Sequence, residues 1–195
     1  MGLHSICVFC GSSAGARGEY AAAAQAMGNL LAQRGIRVVY GGGNVGLMGV
    51  LADAALAAGG QVLGVIPQML VDRELAHRGI GELRIVGSMH ERKALMAELS
   101  DAFIALPGGM GTFEELCEVL TWAQLGIHAK PVGILNTRGY YDALIQLFDR
   151  ALSEQFLRPE HRRLLLTAAE PAELLRLLAA KQPIDPEPRF ERDVT

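Results

Sequence analysis

Residues 106–116 read LPGGMGTFEEL and combine a glycine-rich turn with two carboxylates. The turn, residues 107–111, follows an apolar run and precedes a segment of helical character. Backbone N–H groups at the start of such a helix, at the positive end of its dipole, suit an anionic ligand. Glu114 and Glu115 then place negative charge beside a site suited to negative charge. A ligand with one anionic part and another part that becomes cationic during a reaction would explain both features.

A second interpretation of the same residues is purely structural. Thr112 would cap the helix, and Glu115, three residues later, would reach back to the cap as in a capping box. The residues of this segment leave both interpretations open.

The segment SMHERK, residues 88–93, places basic groups at another helix start. Ser88 and Glu91 fit a capping box. Arg92 and Lys93 lie near the positive end of their own helix, which disfavours cations by up to about 1 kcal/mol. A nearby anion would offset this cost, whereas solvated basic residues are the structural alternative. With the glycine turn, these residues indicate an anion site of the phosphate kind, served by Arg92 and Glu115 from two helices.

Apolar strands and helices alternate along the chain. Strands are predicted at 4–10, 36–40, 61–67, 82–87, 101–107 and 131–136. Helices are predicted at 19–34, up to about 58, at 88–99, up to about 125 and at 140–152, and one or two more over HRRLLL (161–166) and the leucine-rich segment ending at 180. This order predicts an α/β fold, a single Rossmann-like doubly wound domain with a mostly parallel sheet and helices on both faces. We expect the domain to span residues 1–182 and the Pro- and charge-rich residues 183–195 to form a flexible tail.

Three of the predicted strands end in glycine-rich turns, and ligands bind at this edge of such sheets. Gly41, Gly43 and Gly46 in the second turn form a G-x-G-x-x-G. A dinucleotide site also needs an acid about 20 residues later, at the end of the next strand, and QVLGVIP carries none. NAD(P) or FAD binding is therefore the weaker interpretation, and the chain contains no P-loop motif.

The composition argues against several classes of protein. The chain has 195 residues, of which 50% are hydrophobic, and a formal net charge of -3. This balance argues against nucleic acid or an anionic membrane as a partner. No apolar stretch reaches the roughly 18 residues expected of a membrane span. The N-terminus lacks the features of a signal peptide, so a cytoplasmic location is predicted.

The three cysteines, Cys7, Cys10 and Cys117, fit a reducing compartment. Cys7 and Cys10 form a C-x-x-C within a predicted strand, where residues three apart point to opposite faces, so we interpret them as buried strand residues. No Cys, His and carboxylate cluster with metal-ligand spacing occurs, so no metal is predicted. Only three lysines are present, and none lies in a pyridoxal phosphate signature.

Five segments of the chain resemble one known family. PGGMGTFEE fits the P-G-G-x-G-T-x-x-E signature of the LOG (Lonely Guy) family, the cytokinin riboside 5′-monophosphate phosphoribohydrolases. VFCGSS, YGGGNVGLMG, SMHERKALM and TWAQLGIHAKP resemble further blocks of the family in the same order, so that the resemblance covers residues 5–155. Similar sequences have also been labelled lysine decarboxylases, a label that the lysines of this chain give no reason to accept.

The resemblance implies hydrolysis of the N-glycosidic bond of a nucleoside 5′-monophosphate, AMP or an N6-substituted adenine nucleotide, to a free base and ribose 5-phosphate, with no cofactor. It also implies a homodimer with sites near the subunit interface. Arg92 and Glu115 match the family's catalytic pair. The substrate-binding residues that it implies are Glu74, Met89, Lys93, Gly108, Gly109, Gly111, Thr112, Glu114 and Thr121.

Such a reaction would reconcile the glycine turn with its neighbouring carboxylate. Cleavage of a ribosyl–base bond leaves positive charge on C1′ and the ring oxygen, so the turn would hold the phosphate while Glu115 meets the sugar. Glu115 could equally orient ribose hydroxyls or activate water, and Arg92 could bind the ribose, the phosphate or the leaving base. A non-catalytic carrier of a nucleotide or cofactor is the alternative function. The residues determine neither the preferred base nor the choice between cytokinin production and nucleotide salvage.

Overall fold

The computed structural model describes residues 2–73 and 76–181. The strands are β1 Ser5–Phe9, β2 Arg37–Tyr40, β3 Val62–Pro67, β4 Glu82–Val86, β5 Ala102–Ala105, β6 Val132–Leu135 and β7 Leu165–Ala168. The helices are α1 Gly18–Gln33, α2 Gly46–Ala57, α3 Gln68–Val71, α4 Met89–Glu98, α5 Met110–Gln124, α6 Asp142–Ser153, α7 Pro159–Arg162 and α8 Pro171–Ala180, with a 3-10 turn at Thr137–Gly139. None of these helices has both the length and the apolarity to cross a bilayer.

The strands form one sheet in the order β4-β3-β2-β1-β5-β6-β7. Every neighbouring pair in it is parallel. The chain builds outward from β1 to β4 and then returns to the other side of β1 with β5, so the order reverses between these two central strands. Doubly wound sheets bind ligands outside the carboxyl ends of the strands at such a reversal. The predicted fold class is confirmed.

Helices cover both faces of the sheet because its strands alternate two sets of apolar side chains. Ile6 and Val8 belong to a buried cluster with residues of α1, α2 and α8. Cys7 and Phe9 belong to a second cluster with residues of α4, α5 and α6. Cys10 packs in the first cluster and Cys7 in the second, so the two thiols of the C-x-x-C lie on opposite faces, as predicted.

The helix predicted over HRRLLL is wrong in its second half. α7 ends at Arg162, and Leu165–Ala168 forms β7. β7 pairs in parallel with β6, in a register that runs from Val132 opposite Leu165 to Leu135 opposite Ala168. The pairing satisfies backbone hydrogen-bonding groups and buries Leu165 and Ala168 to 7% and 5% exposure. A short leucine run has no periodicity that separates strand from helix, so the free edge of β6 decides its conformation.

Candidate active site

Three glycine turns meet at the carboxyl ends of β1, β2 and β5. Gly11, after β1, donates its N–H to Pro107 O at 3.0 Å, and its own carbonyl accepts a hydrogen bond from Leu47 N at 3.0 Å. A Cβ atom on Gly46 would overlap the backbone of Ser12. Only glycine permits this approach, because Gly46 also has a φ of +58°. The three turns therefore form one continuous surface.

The PGGMG turn leads into α5 with Gly109 as the N-cap residue, and no side chain caps the helix. Thr112 lies inside the first turn, is buried, and packs its hydroxyl against Gly108. The capping-box interpretation of Thr112 and Glu115 is therefore wrong. A Cβ atom on Gly109 or Gly111 would meet nothing within 4 Å. The turn is thus tightly packed on one side and open on the other.

Arg92 and Glu115 form a buried ion pair between α4 and α5. Arg92 Nη1 lies 3.1 Å from Glu115 Oε1, and the two residues are only 9% and 7% exposed. Arg92 Nε also donates to Val65 O at 3.2 Å. A Cβ atom on Gly41 would overlap the Arg92 guanidinium. The missing side chain at Gly41 makes room for Arg92, which accounts for this glycine of the G-x-G-x-x-G without a dinucleotide.

Burial is the main influence on the ionisation of Glu115. Loss of solvent raises the pKa of Glu115, the Arg92 guanidinium acts in the opposite direction, and the net shift is upward. A buried carboxyl group with a perturbed pKa and a specific charged partner at the ligand edge of a sheet is a candidate functional group. Arg92 favours the carboxylate form of Glu115, whereas burial alone would favour the neutral acid.

Lys93, the residue after Arg92 on α4, pairs with two other carboxylates of α5. Its ammonium group donates to Glu114 Oε1 at 2.5 Å and to Glu118 Oε1 at 2.9 Å. Burial lowers the pKa of Lys93, but the two hydrogen bonds outweigh it and the pKa is raised. The anions that offset Arg92 and Lys93 at the start of α4 are therefore side chains of α5.

The start of α4 contains the predicted capping interaction. Glu91 N donates to Ser88 Oγ at 3.1 Å, and the Glu91 carboxylate accepts from Gly87 N, one residue before the cap, at 2.7 Å. Met89, in the first turn, is 39% exposed. Its sulfur lies 4.0 Å from Arg92 Nη1. Met89 therefore lies at the solvent-facing rim of the ion pair.

Thr121 does not join this cluster within one chain. It lies six residues after Glu115 on α5, about 9 Å further along the helix axis, and its hydroxyl donates to Cys117 O at 2.7 Å. Thr121 lines an apolar cavity of about 230 Å³ bounded by α5, α6 and α7, together with Leu120 and Phe156. Glu74 lies outside the described residues.

The sequence analysis missed the contacts that hold residues 76–80 against the second glycine turn. His77 N donates to Gly42 O at 2.8 Å. The ring Nδ1 of His77 accepts from Gly79 N at 3.1 Å, so Nε2 carries the proton that faces Asp53 Oδ1 at 2.9 Å. Asp53 and His77 are 24 residues apart, and no motif connects them.

Tyr140 and Tyr141 were missed as well. The Tyr140 hydroxyl donates to Gly108 O, within the PGGMG turn. The Tyr141 hydroxyl donates to Leu106 O at 2.6 Å. The two tyrosines lie 32 and 35 residues after the carbonyl groups that they contact, so only the fold brings them together.

The fold and these contacts define a doubly wound α/β protein with a polar cleft at the carboxyl ends of its central strands. A family model described as "Possible lysine decarboxylase" matches residues 48–178. A "Cytokinin riboside 5′-monophosphate phosphoribohydrolase" of Arabidopsis thaliana is 54% identical over 178 residues, which are 91% of this chain and 82% of that protein. A "Probable cytokinin riboside 5′-monophosphate phosphoribohydrolase" of Oryza sativa subsp. japonica is 56% identical over 171 residues, which are 88% and 77% of the two chains. The chain belongs to the LOG family of cytokinin riboside 5′-monophosphate phosphoribohydrolases.

Solved structures of lower identity share the fold. The molybdenum cofactor binding protein of Rippkaea orientalis has a TM-score of 0.68 and 22% identity, over 91% of this chain and 96% of that one. The molybdenum cofactor carrier protein of Chlamydomonas reinhardtii has the same score and identity, over 93% and 100%. At this level of identity the likeness is one of fold alone.

The lysines give the family model's description no support at this site. Lys93 is held by two carboxylates, and the other two lysines donate to backbone carbonyls: Lys130 to Ala97 O at 2.6 Å and Lys181 to Arg163 O at 2.8 Å. A Schiff base with pyridoxal phosphate needs a free, uncharged lysine amine. Within residues 2–73 and 76–181, no group of three or more His, Cys, Asp or Glu side chains is arranged to hold a metal ion.

Proposed function

We propose that this protein hydrolyses the N-glycosidic bond of nucleoside 5′-monophosphates, AMP and N6-substituted adenine nucleotides, to a free base and ribose 5-phosphate. The observation that carries this proposal is the buried Arg92–Glu115 pair beside a glycine turn that is open to a ligand. A carrier that only holds a phosphate-bearing ligand would use the turn but would not need a buried carboxylate with a raised pKa next to it. The 5′-monophosphate substrates of the named relatives carry both a phosphate, which would bind at the glycine turn, and a ribose, which would face Glu115.

The glycine turn is the proposed phosphate site. α5 has 15 residues, and its first N–H groups have no acceptor within the helix. The open space next to Gly109 and Gly111 allows a phosphate to approach these N–H groups at the positive end of the helix dipole. Thr112, in the same turn, is proposed to contribute to this binding.

Glu115 is the proposed catalytic carboxylate. As the C1′–N bond breaks, the base leaves with the bonding electrons and positive charge develops on the ribose; water then adds to C1′, and one of its protons balances the charge on the base. An ionised Glu115 would stabilise this cation more strongly than the neutral ribose of the substrate, which is the condition for acceleration. Its buried position strengthens the interaction because little solvent screens it.

Arg92 is proposed to support Glu115 rather than to act on the phosphate alone. One of its nitrogens is engaged by Val65 O and another by Glu115. Its position under Gly41 restrains the guanidinium on a third side. Arg92 therefore both orients the carboxylate and favours its ionised form. Lys93 and Glu114 form the outer part of the same α4–α5 contact and are proposed to border the substrate.

Incubation of the protein with AMP tests the proposed reaction. We expect free adenine and ribose 5-phosphate in equal amounts, separated by chromatography. Binding of AMP without any release of adenine would overturn the hydrolase proposal in favour of a carrier. The same assay with CMP, GMP and N6-isopentenyl-AMP would rank the bases that the site accepts.

The phosphate site can be tested with Gly109→Val. A Cβ atom at this position meets no protein atom within 4 Å, so the variant should fold normally and lose AMP binding because the valine occupies the space proposed for the phosphate. Calorimetric titration with AMP measures the effect, and circular dichroism confirms folding. An unchanged affinity in the folded variant would place the phosphate elsewhere.

A homodimer is proposed on the face that carries α5 and α6. Leu147 and Phe156 are 60% and 88% exposed there, next to the apolar cavity that Thr121 lines. A second copy of the chain would cover these side chains, and it is through such a copy that Thr121 would approach a nucleotide. Light scattering coupled to gel filtration should give the mass of two chains, and Phe156→Ser should shift it towards one. A single-chain mass for the unmodified protein would contradict the proposal.

A further inference from the structure

Three consecutive carbonyl groups at the start of the PGGMG turn each accept a hydrogen bond. Leu106 O accepts from the Tyr141 hydroxyl at 2.6 Å. Pro107 O accepts from Gly11 N at 3.0 Å. Gly108 O accepts from the Tyr140 hydroxyl. The orientation of every peptide unit that enters the turn is therefore determined by a donor outside the turn.

These bonds also determine where the turn's own N–H groups point. The peptide bonds of the described residues are all trans, and in a trans peptide the C=O of one residue points opposite to the N–H of the next. With Gly108 O directed at Tyr140, Gly109 N–H points to the other side. Within the described residues, neither Gly108 nor Gly109 donates its N–H to a protein acceptor. Each of these N–H groups points away from the donor that holds the carbonyl of the same peptide unit. That donor is Gly11 N for the peptide of Gly108 N–H and the Tyr140 hydroxyl for the peptide of Gly109 N–H.

The Tyr140 ring is held in place by aromatic contacts rather than by its hydroxyl. It meets Tyr20 edge-to-face with ring centroids 5.6 Å apart. It stacks on Phe113 of α5 at 6.4 Å and meets Tyr141 edge-to-face at 5.1 Å. The Asn136 side chain accepts a hydrogen bond from Tyr141 N at 2.7 Å, which anchors the tandem tyrosines after the 3-10 turn. Removal of the Tyr140 hydroxyl would therefore leave its ring in position.

We propose that Tyr140 is a positioning residue that directs the N–H group of Gly109 at the 5′-phosphate of the substrate. This inference rests on the proposed function, since it assigns a supporting residue to the same phosphate site. Tyr140 touches neither the phosphate nor the ribose and acts through the Gly108 carbonyl. The Pro107–Gly108 peptide, which carries the Gly108 N–H, is held by Gly11 N. Tyr141, which is buried, holds the Leu106–Pro107 peptide at the entry of the turn.

Equilibrium binding of the two products separates this role from a general effect on folding. Ribose 5-phosphate carries the phosphate and adenine does not. In Tyr140→Phe we expect the Kd for ribose 5-phosphate to rise about 3- to 10-fold, the scale of one hydrogen bond, while the Kd for adenine stays unchanged. Tyr20→Phe is the matched control. The Tyr20 ring packs against Tyr140, but its hydroxyl makes no hydrogen bond to the turn, so the Kd values for ribose 5-phosphate and for adenine should both stay unchanged.

Steady-state kinetics with AMP provide a second measurement. The phosphate does not react, so its weakened binding should raise KM and leave kcat nearly unchanged. An unchanged Kd for ribose 5-phosphate in Tyr140→Phe, or an equal weakening for adenine, would overturn the positioning role.

The two proposals fail separately. If the unmodified protein binds ribose 5-phosphate and Tyr140→Phe weakens it, but AMP is not cleaved, the positioning role stands and the hydrolase proposal falls. If AMP is cleaved and both constants are the same in Tyr140→Phe, the hydrolase proposal stands and the positioning role falls. If the unmodified protein binds no ribose 5-phosphate, the positioning role falls, and AMP cleavage alone decides the hydrolase proposal.

Discussion

Each end of the parallel sheet carries a carboxylate, partly buried at one end and buried at the other. The surroundings of the two carboxylates shift their pKa values in opposite directions. At the amino ends of β1 and β5, Asp101 accepts hydrogen bonds from His4 N at 2.8 Å and Ser5 N at 2.9 Å. At the carboxyl ends, Glu115 has the Arg92 ion pair and lies beside an open glycine turn. Partial burial would raise the pKa of Asp101, but its hydrogen bonds outweigh this and the pKa is lowered. For Glu115 burial outweighs Arg92, and the pKa is raised.

This difference separates a carboxylate that stabilises the fold from one that is available for chemistry. By accepting hydrogen bonds from His4 N and Ser5 N, Asp101 connects the starts of β1 and β5. These hydrogen bonds favour its ionised form in the folded state. Arg92 favours the ionised form of Glu115, burial opposes it and raises the pKa, and the cost of burying the charge is relieved if a positive charge forms next to it. Strained or incompletely compensated groups are expected at the functional edge of a fold rather than at its supporting edge.

The largest effect should come from Glu115→Gln. The amide keeps the shape of the side chain but loses its charge, so we expect AMP binding to persist and kcat to fall roughly 100-fold or more. Asp101→Asn should leave kcat per folded molecule unchanged. It is the matched control, because it makes the same carboxylate-to-amide change at the other end of the sheet. Near-normal turnover in Glu115→Gln would remove the distinction between the two ends of the sheet.

An intermediate effect is expected from Asp101→Ala on stability. The substitution leaves two backbone N–H groups without their charged acceptor, so the free energy of unfolding should fall by about 1–3 kcal/mol. Urea denaturation followed by circular dichroism measures the change, and AMP cleavage per folded molecule should be retained. A loss of activity in fully folded Asp101→Ala would show that the amino edge also takes part in the reaction.

The smallest effect, and the one that sharpens the comparison most, is the dependence of stability on pH. The pKa of Asp101 is lowered by folding, so its contribution to stability is present above its ordinary unfolded pKa and is lost as the pH falls through the folded value. The pKa of Glu115 is raised, so its contribution is present below its unfolded pKa and is lost as the pH rises through the folded value.

Denaturation at a series of pH values should separate the two slopes. Relative to the unmodified protein, Asp101→Asn should lose the fall in stability towards acid pH, and Glu115→Gln should lose the fall that begins as the pH rises past the ordinary glutamate pKa. Slopes of the same sign for the two residues would contradict the assignment of one carboxylate to structure and the other to function.

Local pattern was sufficient for most of the fold and singled out the glycine turn, Arg92 and Glu115 as candidates, whereas the remaining candidate site residues came from the resemblance to the LOG family. Buried parallel strands are short apolar runs separated by helices and glycine turns, and this pattern is visible without tertiary information. The PGGMG turn and the SMHERK segment were recognisable because helix starts have characteristic residues. HRRLLL was misassigned because the conformation of its last residues depends on a hydrogen-bonding neighbour, β6, whose paired residues lie 33 positions earlier in the chain.

The amino-acid order of this protein determined which groups are available: a glycine turn before a helix, carboxylates behind it and an arginine at the start of another helix. Only the tertiary structure decided how they are used. It paired Arg92 with Glu115 rather than leaving Glu115 as a cap, placed Arg92 in the space left by Gly41, and brought Tyr140 to the Gly108 carbonyl. The physical reason is that ionisation and hydrogen bonding depend on burial and on partners distant in sequence, which periodicity and spacing do not record.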